Sequence, residues 1–293
     1  MTLPDDATTV DSADRKPLDE EIDAFGLTHP GKVRKVNQDH FLLSSLHKSM
    51  RIHLTSLPDG GQLPLESERL AFLAMVADGV GGGTGGEEAS RLALEVVTQY
   101  VARSTQCYYT ADTGDETFID VLEQAAVQCH ESVLQKSAQD PERRRMATTL
   151  TLWIGVWPRG YLLQVGDSRC YLLHDGELTQ ITRDQTLAEE LVDRGVFTRT
   201  AAHRSRFANV LSSSIGGPQT APVVTRMDLG WHNVGLICTD GLTKHVSDEQ
   251  IRQRLSAMQS AKQVCEDLLQ DALDGGGSDN ITIIVGRVVR QEG

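Results

Sequence analysis

Three aspartates stand where apolar runs give out. Asp78 follows the run Leu70–Ala77 and precedes Gly79. Asp240 follows Val234–Thr239 and precedes Gly241. Asp279 comes after Gly275, Gly276 and Gly277, just before a last apolar run that starts at Ile281. A fourth, Asp39, ends a polar loop and opens another apolar stretch. Taken singly, an Asp-Gly pair is an ordinary turn signal. Taken together, the four sit at corresponding ends of apolar strands, so strands whose ends converge would put several like charges in one site. Without compensation their pKa values would rise and some would be neutral. Hard oxygen ligands beside glycine suit Mg2+ or Mn2+. No HExxH or CxxC spacing offers zinc a home. Two cations a few ångströms apart lower the pKa of a shared water and clamp a phosphoryl group for in-line attack. Arg34 lies in the same loop as Asp39 and is the candidate for orienting phosphate oxygens, because guanidinium binds phosphate bidentately. Alone, a loop arginine is usually only a surface charge.

The elements that must position these groups follow from periodicity and turn chemistry. Short strands are predicted at Phe25–Thr28 and His40–Ser44, and a strand buried on both faces at Leu70–Ala77. After a glycine cluster (Gly81 to Gly86), Glu87–Arg103 has helical spacing through Ala89, Ala93, Val96 and Val97. A second helix is predicted at about 116–135. A meander follows at Thr148–Trp157, Gly160–Val165, Arg169–His174 and Glu177–Ile181, separated by tight Gly and Asp turns. A short helix at Leu187–Arg194 leads into an irregular stretch, 195–220. Strands at Val223–Asp228 and Val234–Thr239, helices at Ser247–Met258 and Ala261–Leu273, and a strand at Ile281–Val289 complete the pattern. Strands and helix pairs are grouped rather than alternating, which indicates antiparallel sheets with helices outside. Residues 1–22 read as a flexible acidic tail, residues 23–293 as a single domain, and residues 45–69 as an inserted hairpin or surface loop.

Composition narrows the function classes. The chain has 293 residues and a formal net charge of -13. That surplus of acid argues against nucleic-acid binding. No apolar run approaches the roughly 20 residues a membrane-spanning helix needs. The N-terminus lacks an apolar signal core. Five cysteines without a paired spacing fit reduced thiols in a cytoplasmic protein.

With these residues laid out, a family resemblance is specific. Arg34-x-x-Asn37-Gln38-Asp39, Ala77-Asp78-Gly79-Val80-Gly81-Gly82, Gly166-Asp167-Ser168-Arg169, Thr239-Asp240-Gly241 and Ser278-Asp279-Asn280 resemble, in order, the motifs of the metal-dependent serine/threonine protein phosphatases of type 2C. The resemblance spans about residues 23–290. It implies a four-layer αββα sandwich, an α+β fold of two antiparallel sheets flanked by helix pairs, with Mn2+ or Mg2+ at one edge. It implies that Asp39, Asp78, Asp240 and Asp279 hold two ions directly or through water, that Gly79 ligates through its carbonyl, and that Arg34 binds the substrate phosphate. The implied reaction is hydrolysis of phosphoserine or phosphothreonine in proteins by a metal-activated water. The implied partners are phosphorylated proteins, serine/threonine kinases and their substrates among them. A monomer is expected, although no motif bears on oligomeric state. Asp167, Ser168 and Arg169 are expected to be structural.

The chain departs from the family at instructive places. Many eukaryotic members carry His after the Asp-Gly pair as a proposed general acid; Val80 stands here, as in the bacterial branch. Many members carry an Asp for a third ion before the strand at Thr148. Here the stretch is Arg143-Arg144-Arg145-Met146, with Asp140 the nearest acid, which argues against a third ion. The segment 183–220 corresponds to the family's variable flap. Its Arg183, Arg194, Arg199, His203, Arg204 and Arg206 suggest a basic lip that recruits acidic phosphopeptides.

Rival readings are weaker. Gly81-x-Gly83-x-x-Gly86 follows a strand as a dinucleotide loop would, but Asp78 would repel the pyrophosphate and the βαβ alternation is missing. Gly26-x-x-x-x-Gly31-Lys32 approaches a P-loop, but Val33 replaces the Mg2+-binding hydroxyl. No cysteine has the downstream arginine of a cysteine phosphatase. Neither Asp78 nor Asp240 has the second Asp that an aspartyl-phosphate mechanism usually places two residues on. The serious alternative is a phosphatase fold that serves only as a regulatory or binding module.

Overall fold

The computed structural model describes residues 15–49, 68–81, 84–104, 114–139 and 146–290. The expected insertion at 45–69 falls largely, and the stretch 140–145 wholly, outside the described residues.

Among the described residues eleven strands form two antiparallel sheets. The first has the order β1-β11-β10-β7-β8: β1 Ile22–His29, β7 Arg169–His174, β8 Glu177–Gln180, β10 Val234–Cys238 and β11 Ile281–Val288. The second has the order β2-β3-β5-β6-β9: β2 Asp39–Lys48, β3 Glu68–Val80, β5 Leu150–Val156, β6 Arg159–Val165 and β9 Val223–Asp228, with the short β4 Ala147–Thr148 also paired to β3. Because β1 and β11 are neighbours, the two ends of the described chain close one sheet.

Helices α1 (Thr84–Arg103) and α2 (Asp115–Gln139) cover the second sheet, and α6 (Asp248–Ser256) and α7 (Ala261–Asp274) cover the first. The apolar stripes predicted from the 3.6-residue period are what they bury. Ala89, Ala93 and Val97 of α1 meet Phe118, Leu122 and Val133 of α2 over Met75, Leu152 and Leu163. On the other side Val264, Cys265 and Leu268 of α7 pack on Leu236, Ile283 and Val285. Between the sheets Ala74, Val76, Leu162, Ile237 and Ile284 form the middle layer of the core. Short helices α3 (Leu187–Asp193), α4 (Arg199–His203) and α5 (Asp240–Thr243) lie in the connections.

Two boundaries differ from expectation. Helix α1 begins at Thr84, ahead of the predicted Glu87, and so contains Gly85 and Gly86. A Cβ on Gly86 would lie 3.0 Å from the carbonyl of Gly79, and one on Gly79 would lie 2.3 Å from the carbonyl of Gly86. The helix start and the end of β3 approach so closely that side chains are excluded from both, which helix propensity does not reveal. At the N-terminus, residues 15–21 join the fold rather than trail from it. Asp19–Glu21 form a 3-10 turn, Glu21 is buried and bonded to Arg15, and Arg69 binds Asp19 and the carbonyl of Pro17.

At the end of the sandwich opposite the aspartates the two sheets leave space between them. There a cavity of about 150 Å³ is lined by Phe72, Trp153, Trp157, Leu229, Ile284 and Val288. Gly286, in the interior of β11, has room beside this space: the nearest atom to a Cβ there is Ala24 Cβ at 3.6 Å. Glycine in a strand costs backbone entropy, and a half-buried methyl still gains transfer free energy. Gly286→Ala is therefore expected to stabilise the protein by about 1–2 kcal/mol, read as a raised urea midpoint with an unchanged slope. A lowered midpoint would show that the space is not available to a side chain.

Candidate metal centre and active site

The four aspartates do converge. Strands β2 and β3 pair so that Asp39 lies directly opposite Asp78. Thr148 and Thr149 hold the backbone at this point: Thr148 Oγ1 donates to the Asp78 carbonyl at 2.8 Å, and the Asp78 N–H donates to Thr149 Oγ1 at 3.0 Å. Strand β3 continues past Asp78 to Val80, so the aspartate sits within the paired strand and is not a turn residue. Asp240 arrives at the end of β10 as the first residue of α5. Gly241 beside it is obligatory, since a Cβ there would lie 1.8 Å from the Asn280 carbonyl. Asp279 arrives from the loop before β11.

Burial and mutual repulsion dominate the electrostatics. Asp39 is 2% exposed. Burial pushes its carboxyl up to about 6, despite hydrogen bonds from Thr282 and Thr239 that favour the charged form. Both hydroxyls donate to the same oxygen, Oδ2, each at 2.8 Å. Burial also raises Asp78 well above the carboxylate range, and the charges of Asp39 and Asp240 raise it further. Asp240 is raised by burial, partly offset by Lys244. Burial pushes Asp279 the same way, but Lys244 and Arg34 outweigh it and hold this carboxyl below its ordinary value.

Arg34 reaches Asp279 with two bonds, Nε to Oδ1 at 2.8 Å and Nη2 to Oδ2 at 3.0 Å, and remains 54% exposed. It is thus fixed at the lip with donors still open to the cleft. The loop that carries it is braced by Asn280, which is 4% exposed. Asn280 Nδ2 donates to the carbonyls of Pro30 and Val36, each at 3.0 Å, and its Oδ1 accepts from the Gln38 N–H at 2.9 Å. Asn280→Ala would strand three backbone groups. We expect a loss of roughly 3 kcal/mol in stability and a raised KM at nearly unchanged kcat, measured by urea unfolding and steady-state kinetics. An unchanged KM would show that the loop does not need this brace.

Three further residues belong to the site although their sequence signals are plain. Asp167, expected to be structural, has its carboxyl pushed up to about 7, first by burial and then by the charges of Asp240 and Asp184, and its own charge acts on Asp78. The turn around it is a structural anchor: Arg169 clamps Asp184 at 2.9 and 2.7 Å. Lys244 Nζ lies 2.6 Å from Asp240 Oδ2 and 2.7 Å from Asp279 Oδ2. His245 Nε2 holds the loop before Asp279 through the N–H and hydroxyl of Ser278, at 2.9 and 2.8 Å. In the flap, Arg183 is paired with Asp193 and Glu189, and Arg194 with Glu190. These two are therefore neutralised locally, which reduces the predicted basic lip chiefly to Arg199, Arg204 and Arg206.

The donor set fits divalent cations. Among the described residues, Asp39 Oδ1 and Asp240 Oδ1 are buried without a hydrogen-bond donor. A buried carboxylate oxygen left without a partner is costly unless something positive meets it. Among the described residues no three His, Cys, Asp or Glu side chains stand close enough to hold an ion by themselves, so an ion here would need water or backbone oxygens to complete its shell.

An αββα sandwich with carboxylates gathered at its sheet ends and an arginine at the lip defines a class of cation-dependent phosphate-handling proteins. The protein phosphatase 2C profile matches residues 65–275. The serine/threonine protein phosphatase PstP of Mycobacterium tuberculosis is 36% identical over 222 residues, which cover 75% of this chain and 41% of that protein. The chain thus spans about two fifths of the length of that relative. The crystal structure of Mycobacterium tuberculosis PstP/Ppp superposes with a TM-score of 0.73 at 28% identity, covering 92% of this chain and 99% of the other. The catalytic domain of PstP in complex with 2 manganese ions gives a TM-score of 0.70 at 29% identity, covering 92% and 99%. The chain belongs to the protein phosphatase 2C family.

Proposed function

We propose that this chain is a metal-dependent phosphatase that removes phosphate from serine and threonine residues of other proteins. The observation that carries the reading is the pair of buried, donorless carboxylate oxygens, Asp39 Oδ1 and Asp240 Oδ1, in a cleft whose lip holds Arg34. Asp39, Asp78, Asp240 and Asp279, with the Gly79 carbonyl, would hold two divalent ions, Mn2+ or Mg2+. When bound, the ions supply Lewis acidity that makes water a nucleophile near neutral pH and neutralises phosphoryl charge.

The remaining steps belong to the protein. Thr239 and Thr282 fix the orientation of Asp39 by occupying one of its oxygens. Asp279 aims Arg34, whose free donors orient the phosphate of the incoming side chain for in-line attack. Val80 has no proton to give, so the leaving alkoxide would take its proton from water or from another group of the cleft. A fold kept only for binding would have no use for unpaired buried carboxylates, so the regulatory-module reading is not favoured.

Substrates would be phosphorylated proteins, including serine/threonine kinases and their targets. Residues 23–293 would act as one catalytic domain, since β1 and β11 pair along their length. A reducing cytoplasm suits the buried free thiols among the described residues, Cys129, Cys170, Cys238 and Cys265. Among the described residues no helix is long and apolar enough to cross a membrane.

The test is hydrolysis of an aryl phosphate and a phosphothreonine peptide by wild type and Asp240→Asn, with Mn2+, Mg2+ or EDTA. The expected result is turnover that needs metal and is lost in the variant. Metal binding by wild type without turnover on either substrate would overturn the enzymatic reading.

A further inference from the structure

Lys244 is a charged group in the cleft that the scheme above does not use. It caps the four-residue helix α5 and places Nζ between carboxylates from two different elements, Asp240 at the end of β10 and Asp279 in the loop before β11. Its side chain is 26% exposed, so little water competes for the ammonium. Asp279 Oδ2 already accepts from Arg34, which makes Lys244 the second cation on that one oxygen. Asp240 stands differently: its Oδ2 faces Lys244, while its Oδ1 has no donor among the described residues. An ammonium fixed on two carboxylates draws on the same lone pairs, and the same negative potential, that a divalent ion needs.

We propose that Lys244 is a tethered competitor of the divalent cation, weakening the cleft's hold on one of its ions. This rests on the reading of the cleft as a cation site. The consequence is an ion that exchanges with the surroundings, so occupancy follows the free Mn2+ or Mg2+ concentration instead of being permanent. The opposing view makes Lys244 a structural staple between α5 and the Asp279 loop, with no bearing on ion affinity.

Titration calorimetry with MnCl2 on the full chain separates the two. For Lys244→Met the competitor role requires at least a tenfold lower Kd at one site, and a larger rise in Tm on adding Mn2+ than wild type shows. Lys244→Arg, which keeps the charge, should stay within a few-fold of wild type. Lys32→Met removes the same charge from an exposed position in the neighbouring loop, and should leave Kd within twofold. An unchanged or higher Kd in Lys244→Met overturns the inference and leaves the cleft reading standing. So does a tightening that Lys32→Met reproduces. Wild type that binds no Mn2+ overturns both. If Lys244→Met does not fold, Lys244→Gln carries the same reading.

Discussion

Asp78→Asn is expected to lower kcat by about three orders of magnitude, about 4 kcal/mol of barrier, and at the same time to make the metal-stripped protein more stable. The two effects have one cause. Asp78 sits half-buried at the meeting point of β2, β3 and β4, and the charges of Asp39, Asp240, Asp167 and Asp279 all act to raise its pKa. The folded chain confines a charge that the unfolded chain would leave in water. An amide of the same shape keeps the backbone bonds to Thr149 and Thr148 and removes the repulsion. It also removes the negative charge that a divalent ion requires. Activity against a phosphothreonine peptide with Mn2+, and the urea midpoint in EDTA, should therefore move in opposite directions. A variant that lost both would be a folding mutant, and one that kept its activity would remove Asp78 from the site. This is the stability–function trade-off of a strained active site.

Asp78 and Asp240 were legible only in company: a single Asp-Gly pair is an ordinary turn signal, whereas four acids at the ends of apolar runs point to one shared site. The five ordered motifs then fixed the family and the sandwich. What the pattern could not carry was the side-chain support. Thr239 and Thr282 look like ordinary β-formers, and only the pairing of β10 with β11 brings both hydroxyls onto Asp39. Asn280 reads as a turn residue, yet its amide spans the Arg34 loop, a contact made across most of the chain's length. Asp167 reads as one acid in a Gly-Asp-Ser turn, and its approach to Asp240 depends on the pairing of β7 with β10, which sets Arg169 opposite Cys238. Lys244 has no signature, because a lysine one turn after an Asp is usually a solvated helix pair. The flap failed in the opposite direction. A count of arginines suggested a basic lip, while Glu189, Glu190 and Asp193 on α3 pair with two of them. Composition counts charges, and only geometry says which of them are already spent on one another.

The second large effect is in stability against pH, and its sign follows from the same cluster. Asp39, with a carboxyl pushed up to about 6 from 3.8, and Asp167, pushed up to about 7, bind protons in the folded chain that the unfolded chain has already released. Asp78 and Asp240 shift in the same direction. Between about pH 4 and pH 7 the folded state therefore holds more protons, and stability falls as pH rises through that window. Asp39 alone contributes on the order of 3 kcal/mol across it. Asp279 has the opposite shift, but Arg34 and Lys244 already hold it ionised, so its contribution is present above its ordinary pKa and is lost only at more acid pH. In EDTA the urea midpoint should thus be higher at pH 5 than at pH 7.5. With saturating Mn2+ the carboxylates are neutralised by the ion in place of protons, ion binding weakens as protons compete, and the order should reverse. A metal-stripped protein no less stable at pH 7.5 than at pH 5 would show that the carboxylates are not packed closely enough to repel. It would remove the physical reason for placing cations among them.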